Sequence, residues 1–101
     1  MKMETNGDIL RIGSVQQLGE ANASAFREWV RGAFSDSYRN IEVDLSQTSF
    51  VDSCGLGALI GLHKLALNRK GKLVLIDPQP SIQQILELTR LDVIFDIRKT
   101  S

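Results

Sequence analysis

The sequence has few of the residues that carry redox, metal or nucleophilic chemistry. It contains one cysteine, Cys54, and one histidine, His63. An internal disulfide is therefore impossible, and a metal site built from cysteines alone is not expected. Twelve basic and twelve acidic side chains give a formal net charge of +0. Nucleic-acid-binding and polybasic membrane-surface proteins need an excess of positive charge, so we expect neither partner.

Long apolar runs are also missing. The longest apolar window, 56–67, is interrupted by His63 and Lys64 and is too short to span a bilayer. The first residues are polar and no apolar segment typical of a signal peptide follows them, so we expect a cytoplasmic protein. With 101 residues, 43% hydrophobic and 24% charged, the chain is expected to form one soluble domain with one core.

Strand and helix patterns alternate along the chain in the order βαβαβαβ. Residues 1–7 are polar and are predicted to be a loose N-terminus. The patterns predict strands over 8–15, 41–45, 72–76 and 93–97, and helices over 23–34, 55–68 and 81–90. Such alternation predicts a single α/β domain, with a mostly parallel sheet of four or five strands and helices packed on it.

The second predicted helix has apolar residues nearly all round, which predicts that both of its sides are covered. Arg69 and Lys70 close it with positive charge, and Gly71 stands where a helix C-terminus favours glycine. In the strand at 41–45, Glu42 and Asp44 are predicted to point away from the core. The first helix is predicted to begin with Asn22 or Ser24 as its N-cap.

The stretch 50–57, FVDSCGLG, joins a predicted strand region to the second helix and places polar groups at the junction. Functional residues of open parallel sheets lie where strands end and helices begin. His63 comes ten residues after Ser53, which in a helix is roughly 15 Å of rise, so it is not a base for Ser53 or Cys54. The sequence also lacks the G-x-S-x-G, G-x-x-x-x-G-K-[ST] and G-x-G-x-x-G patterns. We therefore expect no enzyme and no catalytic residue.

Ser53 itself has two explanations, which its position leaves open. It is either the N-cap of the helix or a phosphoacceptor, because a phosphate there would face free N–H groups and the positive end of the helix dipole. In the second case the carboxylate of Asp52 would stand beside the phosphate. Asp44 and Asp52 lack the further ligands that a metal site needs, so no metal or other cofactor is expected.

The longer stretch 44–57, DLSQTSFVDSCGLG, closely resembles the core motif of STAS domains, the family of anti-sigma factor antagonists. In that motif D-L-S ends a strand, an apolar pair follows, and D-S-S-G-L/I-G opens a helix. The G-K-L-V-L segment from Gly71 and the proline-led helix from Pro80 fit the same family. The resemblance covers about residues 8–98, which we take as the domain, followed by a tail at 99–101.

The resemblance implies a regulatory binding protein with Ser53 as its phosphoacceptor. The implied partner is an anti-sigma factor that is also a serine kinase with a histidine-kinase-like ATPase fold. The unphosphorylated antagonist sequesters this kinase, phosphorylation breaks the complex, and a PP2C-type phosphatase reverses the modification. The implied docking surface comprises Asp44, Asp52, Ser53, Cys54, Gly55, Leu56 and Gly57.

The chain departs from the family pattern at two positions that bear on its kinase. The second serine of the motif is Cys54, and Gly19 follows Leu18 where many antagonists carry the aspartate of a G-x-L-D segment. Other STAS domains are parts of anion transporters, which would need a membrane domain in the same chain. Still others are accessory subunits of lipid-transporting ABC systems, which dock without phosphate. This last role is the alternative to the antagonist.

Overall fold

A five-stranded mixed sheet forms the centre of the computed structural model, which describes residues 1–100. The sheet has the strand order β1-β2-β4-β6-β7, and β3 and β5 form a separate parallel pair. Strands are β1 (Lys2–Asn6), β2 (Ile9–Gly13), β3 (Gln17–Leu18), β4 (Asn40–Asp44), β5 (Phe50–Val51), β6 (Leu73–Ile76) and β7 (Asp96–Arg98). Helices are α1 (Ala23–Ala33), α2 (Ser53–Asn68) and α3 (Pro80–Leu88), followed by a 3-10 turn at Leu91–Val93.

The strands from β2 to β7 in the main sheet are parallel to one another, and β1 alone is antiparallel. The prediction of one α/β domain with a mostly parallel sheet is therefore confirmed. The predicted element order holds for the main body, with β1 and the short pair β3–β5 added to it.

The prediction of a loose segment over residues 1–7 was wrong, because Lys2–Asn6 forms β1. Asn6 pairs with Ile9 across a two-residue turn in which Gly7 has a φ of 62°. Met3 pairs with Ile12 and packs against the core, so one side chain anchors an otherwise polar edge strand. The Gly7-Asp8 dipeptide, which forms the two-residue turn, is the sequence signal for this hairpin.

One hydrophobic core lies between the helices and a single face of the sheet. Alternate residues of each inner strand point to that face, as the two-residue period of a strand requires. The fully buried members of this core include Leu10, Ile12, Ile41, Val43, Leu73 and Leu75 from the sheet, and Val30, Leu59, Leu62, Ile82 and Leu86 from the helices.

The opposite face of the sheet carries charged side chains in place of helices. Glu42 points to this face, as predicted, but only 7% of it is exposed. Its two carboxylate oxygens accept hydrogen bonds from Arg11 Nη1 at 3.0 Å and Arg98 Nη1 at 3.1 Å. Val74 and Ile76 alternate with the core-facing residues of β6 and are buried under this layer of long side chains.

The outer face of α2 is exposed, so the prediction that both sides of this helix are covered was wrong. Ser53, Gly57 and Lys64 lie on the exposed side, and Leu67 is 53% exposed. The core needs only the buried stripe of Gly55, Ala58, Leu59, Leu62 and Ala66. The other apolar side chains of α2 therefore face solvent or neighbouring α1.

Arg69 joins the end of α2 to the connection between α1 and β4. It donates hydrogen bonds to the carbonyl oxygens of Phe34 (2.7 Å), Tyr38 (3.2 Å) and Ser35. The guanidinium carbon also lies 4.3 Å from the centre of the Phe34 ring. The predicted role at the C-terminus of its own helix is therefore replaced by one at the C-terminus of α1.

The last strand begins three residues later than predicted. Arg90 adopts a left-handed conformation with a φ of 62°, and the amides of Ile94 and Phe95 then donate to the carbonyl of Leu91. This turn buries Leu91 and Phe95 in the core. Residues 91–93 consequently form a 3-10 turn, and β7 starts at Asp96.

Candidate functional site

Asp52 is the N-cap of α2, and Ser53 is the first residue of the helix. Asp52 has extended backbone angles, and its Oδ1 accepts a hydrogen bond from the Gly55 N–H at 3.0 Å. One of the free amides of the first turn is thereby satisfied, as an N-cap side chain normally does. The explanation of Ser53 as the N-cap is therefore wrong. The Ser53 side chain is exposed at the start of the helix.

The second oxygen of the Asp52 carboxylate connects α2 to the loop that precedes α1. Oδ2 accepts a hydrogen bond from the Glu20 N–H at 2.9 Å. The two N–H groups, that of Gly55 first and that of Glu20 second, lower the pKa of Asp52 below its usual value. The carboxylate is therefore ionised at neutral pH and provides a fixed negative charge next to Ser53.

Gly19 leaves the space that this carboxylate occupies. A Cβ atom at Gly19 would lie 2.8 Å from Asp52 Oδ2 and 2.8 Å from Phe50 Cε2. An aspartate at this position would require both neighbours to move. The departure at Gly19 thus fits the local packing of this chain.

Asn22 fixes the same loop through its side-chain amide. Its Oδ1 accepts from the Gly19 N–H at 3.0 Å, and its Nδ2 donates to the Gln17 carbonyl at 2.9 Å. Asn22 occupies the N-cap position of α1, as predicted, but its side chain makes no capping hydrogen bond to that helix. Its hydrogen bonds instead hold the loop against which Asp52 is placed.

Gly55 allows the first turn of α2 to lie directly on β3. A Cβ atom at Gly55 would come within 2.1 Å of the Leu18 carbonyl oxygen. The same oxygen accepts a hydrogen bond from the Asp52 N–H at 3.3 Å, and Leu18 pairs with Val51 in the β3–β5 ladder. Gly55 is buried, so it shapes the turn from beneath.

The structure gathers the predicted residues 52–57 into one turn, and it places Asp44 elsewhere. Ser53, Cys54 and Gly57 are exposed, and Leu56 is partly buried. Asp44 accepts a hydrogen bond from the Ser46 N–H at 2.9 Å, and its Oδ2 lies 3.5 Å from Arg11 Nη2. These contacts are on the charged face of the sheet, opposite the face that holds α2.

Shallow clefts on either side of this turn contain residues that the sequence patterns did not single out. The first is lined by Gln17, Gly19, Glu20, Asn22, Phe50 and Asp52. The second is lined by Glu20, Ala23, Ser24, Arg27, Cys54 and Gly57. Phe50 looks like a buried apolar residue in the sequence but is 51% exposed, because Val51 is the inward-facing residue of this short strand.

The His63 ring packs edge-to-face against Phe95, with 5.6 Å between the ring centres, and is engaged with the C-terminal segment. Within residues 1–100, no group of three or more His, Cys, Asp or Glu side chains is arranged to hold a metal ion. In the same residues, no helix is both long and apolar enough to cross a membrane.

Comparisons with known proteins identify one family whose members resemble this chain over nearly its whole length. The STAS domain family matches residues 1–101. A Thermotoga maritima protein named "Putative anti-sigma factor antagonist" is 30% identical over 94 residues, which cover 92% of this chain and 83% of that protein. A crystal structure of a Thermotoga maritima protein with the same name superposes on this chain with a TM-score of 0.90 at 28% identity. The match covers 98% of this chain and 86% of that protein.

The anti-sigma factor antagonist SpoIIAA has the same fold. Its unphosphorylated form superposes with a TM-score of 0.86 at 19% identity, covering 99% of this chain and 87% of SpoIIAA. A phosphorylated form, from Bacillus, gives a TM-score of 0.78 at the same identity. The predictions of a STAS fold and of a regulatory binding domain that is not an enzyme are confirmed by these matches.

Proposed function

Because the chain belongs to the STAS domain family, we propose that it is an anti-sigma factor antagonist controlled at Ser53. In the unphosphorylated form it binds an anti-sigma factor that is also a serine kinase of the histidine-kinase-like ATPase fold. Phosphorylation of Ser53 releases that partner, and a PP2C-type phosphatase restores the binding form. The observation that carries the proposal is the exposed Ser53 hydroxyl beside a capping carboxylate.

Asp52 and Ser53 have separate roles at the start of α2, which supports the proposal of Ser53 as the phosphoacceptor. Asp52 already caps the helix, so the Ser53 hydroxyl can be modified without loss of the cap. In the reaction, the Ser53 oxygen would attack the γ-phosphorus of ATP, its proton would pass to a base of the kinase, and ADP would leave. The antagonist supplies only the acceptor hydroxyl, and the kinase supplies the base and the nucleotide.

The phosphate would change the charge of the turn from one negative group to two. It adds about −1.5 to −2 charge. The helix N-terminus favours this anion, whereas the ionised Asp52 carboxylate repels it. The dianion would point outward, because Ser53 is exposed, and would meet the bound partner.

One buried phosphate can supply the free energy needed to dissociate the complex. To change a complex from almost fully bound to almost fully free takes roughly 10⁴-fold in affinity, or about 5.5 kcal/mol. Burying a dianion against a partner without a counter-charge costs several kcal/mol or more. A partner that covers Ser53 closely would therefore be displaced.

The phosphorylation test uses the full chain, the cognate kinase and ATP, with the modified residue mapped by mass spectrometry. We expect one phosphate, on Ser53, and none in Ser53→Ala. Cys54 makes the assignment unambiguous, because the exposed residue next to Ser53 carries no hydroxyl. Ser24→Ala, a change at an exposed serine of the neighbouring cleft, is the matched control and should be phosphorylated normally.

The same proteins serve for a binding measurement. Ser53→Asp should weaken the complex with the kinase, and Ser53→Ala should preserve it. If the wild-type chain takes up no phosphate and Ser53→Asp binds normally, the proposal is wrong. That result would favour the alternative, an accessory subunit of a lipid-transporting ABC system.

A further inference from the structure

A groove with positive charge on its rim runs along the outer surfaces of α1 and α2. Arg27 and Arg31 of α1 and Lys64 of α2 line its sides. Its floor is formed mainly by the α2 residues Gly57, Ile60 and Gly61. We call the groove that these six residues line, together with Leu65 and Asn68, the basic groove.

Within the described residues, 1–100, no acidic side chain lines the basic groove. Among residues 1–100, Arg31 is the one rim residue with a carboxylate within 4.0 Å, that of Glu28 at 3.8 Å, and both of those side chains are about 60% exposed. In a chain of zero formal net charge, the basic groove is a local excess of positive charge.

At Gly57 the floor of the basic groove is open to close approach by another chain. A Cβ atom at Gly57 would meet nothing within 4 Å, so packing inside the domain does not explain this glycine. A glycine within a helix costs roughly 0.5–1 kcal/mol relative to alanine. At Gly61 the stem of Arg27 lies over the helix, with its Cδ 3.0 Å from the position of a Cβ atom. The rim and the floor are therefore in direct contact.

We infer that the basic groove receives an acidic, amphipathic helix of the partner protein. The carboxylates of such a helix would pair with Arg27, Arg31 and Lys64, and its apolar side would lie on Ile60 and Leu65. Charge complementarity of this kind increases the association rate and selects the partner. A helix lying in a groove is a common mode of recognition.

An acidic occupant also explains why phosphorylation of Ser53 would weaken binding, a conclusion that rests on the proposed function. Ser53, Gly57 and Lys64 follow each other along the exposed face of α2 at helical spacing. A phosphate on Ser53 would thus stand at one end of the basic groove and repel an acidic occupant. It would also attract Arg27, which borders the Cys54 cleft as well as the groove. A basic occupant would be held more tightly instead, which is opposite to release.

The test needs no kinase and uses the full chain labelled with ¹⁵N. It is titrated with a synthetic amphipathic helix of glutamate and leucine, and separately with the matching lysine and leucine peptide. We expect the acidic peptide to shift the backbone amide signals of Gly57, Ile60 and Gly61, and its affinity to fall as salt is added. The lysine peptide should leave those signals unchanged.

Charge reversal at the rim provides the matched variants. The double variant Arg27→Glu, Lys64→Glu should bind the acidic peptide at least about tenfold more weakly. A double control, Lys2→Glu with Lys99→Glu, changes the net charge equally at exposed sites outside the groove and should bind normally. Thermal unfolding of each variant shows that it is folded, which is expected because these side chains are exposed.

Three results would overturn the inference. The first is the absence of amide shifts in the basic groove, and the second is equal binding of both peptides. The third is tighter binding of a single-stranded oligonucleotide of the same charge at the same residues, which would make the groove a nucleic-acid site. If the acidic peptide binds as expected and Ser53 is never phosphorylated, the inference on the groove holds and the proposed function fails.

Discussion

The contact between Gly55 and the Leu18 carbonyl gives a direct test of how the site is built. In Gly55→Ala the new Cβ atom would lie 2.1 Å from the Leu18 oxygen, 2.8 Å from the Leu18 carbonyl carbon and 3.1 Å from Val51 Cγ1. The first two are backbone atoms of β3, so no side-chain rotation relieves the overlap. The start of α2 must move away from β3, or β3 must leave β5.

The expected cost combines two opposing effects. Alanine is favoured over glycine inside a helix by about 1 kcal/mol. Overpacking of one carbon into a filled site costs typically 1–3 kcal/mol and occasionally more. Because backbone atoms are involved, we take the upper end and expect a net loss of roughly 2 kcal/mol. For a domain of this size that corresponds to a fall in the melting temperature of about 10 °C.

The matched control is Gly57→Ala, two residues along the same helix. Nothing lies within 4 Å of a Cβ atom at that position, so the helix preference should act alone. We expect a gain of about 0.5–1 kcal/mol. Urea unfolding followed by circular dichroism measures both free energies. Equal stability of the two variants would refute the explanation of Gly55.

Three further predictions concern Arg69, Glu42 and Asp52. Arg69→Lys should lower the free energy of unfolding by about 1.5–3 kcal/mol, because a lysine cannot serve three carbonyl groups at once; wild-type stability in urea would contradict the assigned contacts. Glu42→Ala should lower the free energy of unfolding by about 1 kcal/mol, because Arg11 and Arg98 lose the carboxylate that they share. The two arginines then repel each other, so the stability of the variant should rise with added salt. A salt dependence equal to that of the wild type would contradict this explanation. Hydrogen bonds to Asp52 lower its pKa, so the stabilisation they give is present above the ordinary value of 3.8 and is lost as the pH falls through the lowered pKa. In an NMR titration the amide signals of Gly55 and Glu20 should move together with a midpoint below 3.8, and a midpoint above that value would show that Asp52 does not hold both groups.

Much of the fold could be predicted because the apolar residues follow helix and strand periods. The strand at 41–45 and the helices at 23–34 and 55–68 lie close to the observed β4, α1 and α2. Strand β1 could not be found by the same criterion, since its anchoring residue is Met3 alone. An edge strand gains its stability from backbone pairing with β2, which leaves no apolar period in the sequence.

Residues near the ends of elements were predicted less well, because one residue type fits several backbone positions. Gly71 was predicted to stand just beyond α2, where a helix C-terminus favours glycine, but the left-handed residue at this end is Lys70, with a φ of 61°. Gly71 is required for a different reason. A Cβ atom there would lie 1.8 Å from the Arg39 carbonyl oxygen, in a contact between segments distant in sequence.

In the candidate site, too, local features were predicted and contacts between distant segments were not. The turn from Asp52 to Gly57 was found because the acid, the hydroxyl and the glycines stand together at a helix start. The contacts of Asp52 with Glu20 and of Gly55 with Leu18 cross more than thirty residues of sequence, so no local pattern contains them. Asp44 was grouped with the turn by the family motif, but its carboxylate contacts the Ser46 N–H and Arg11 on the charged face of the sheet.

The central claim is that a phosphate on Ser53 decides whether the partner is bound. The most direct measurement is the dissociation constant of the anti-sigma kinase for the unphosphorylated chain and for the same chain phosphorylated at Ser53. Both are determined by calorimetry with a nucleotide that cannot transfer phosphate. We expect a weaker complex for the phosphorylated chain, by roughly 10⁴-fold for a complete switch. Equal dissociation constants for the two forms would contradict it.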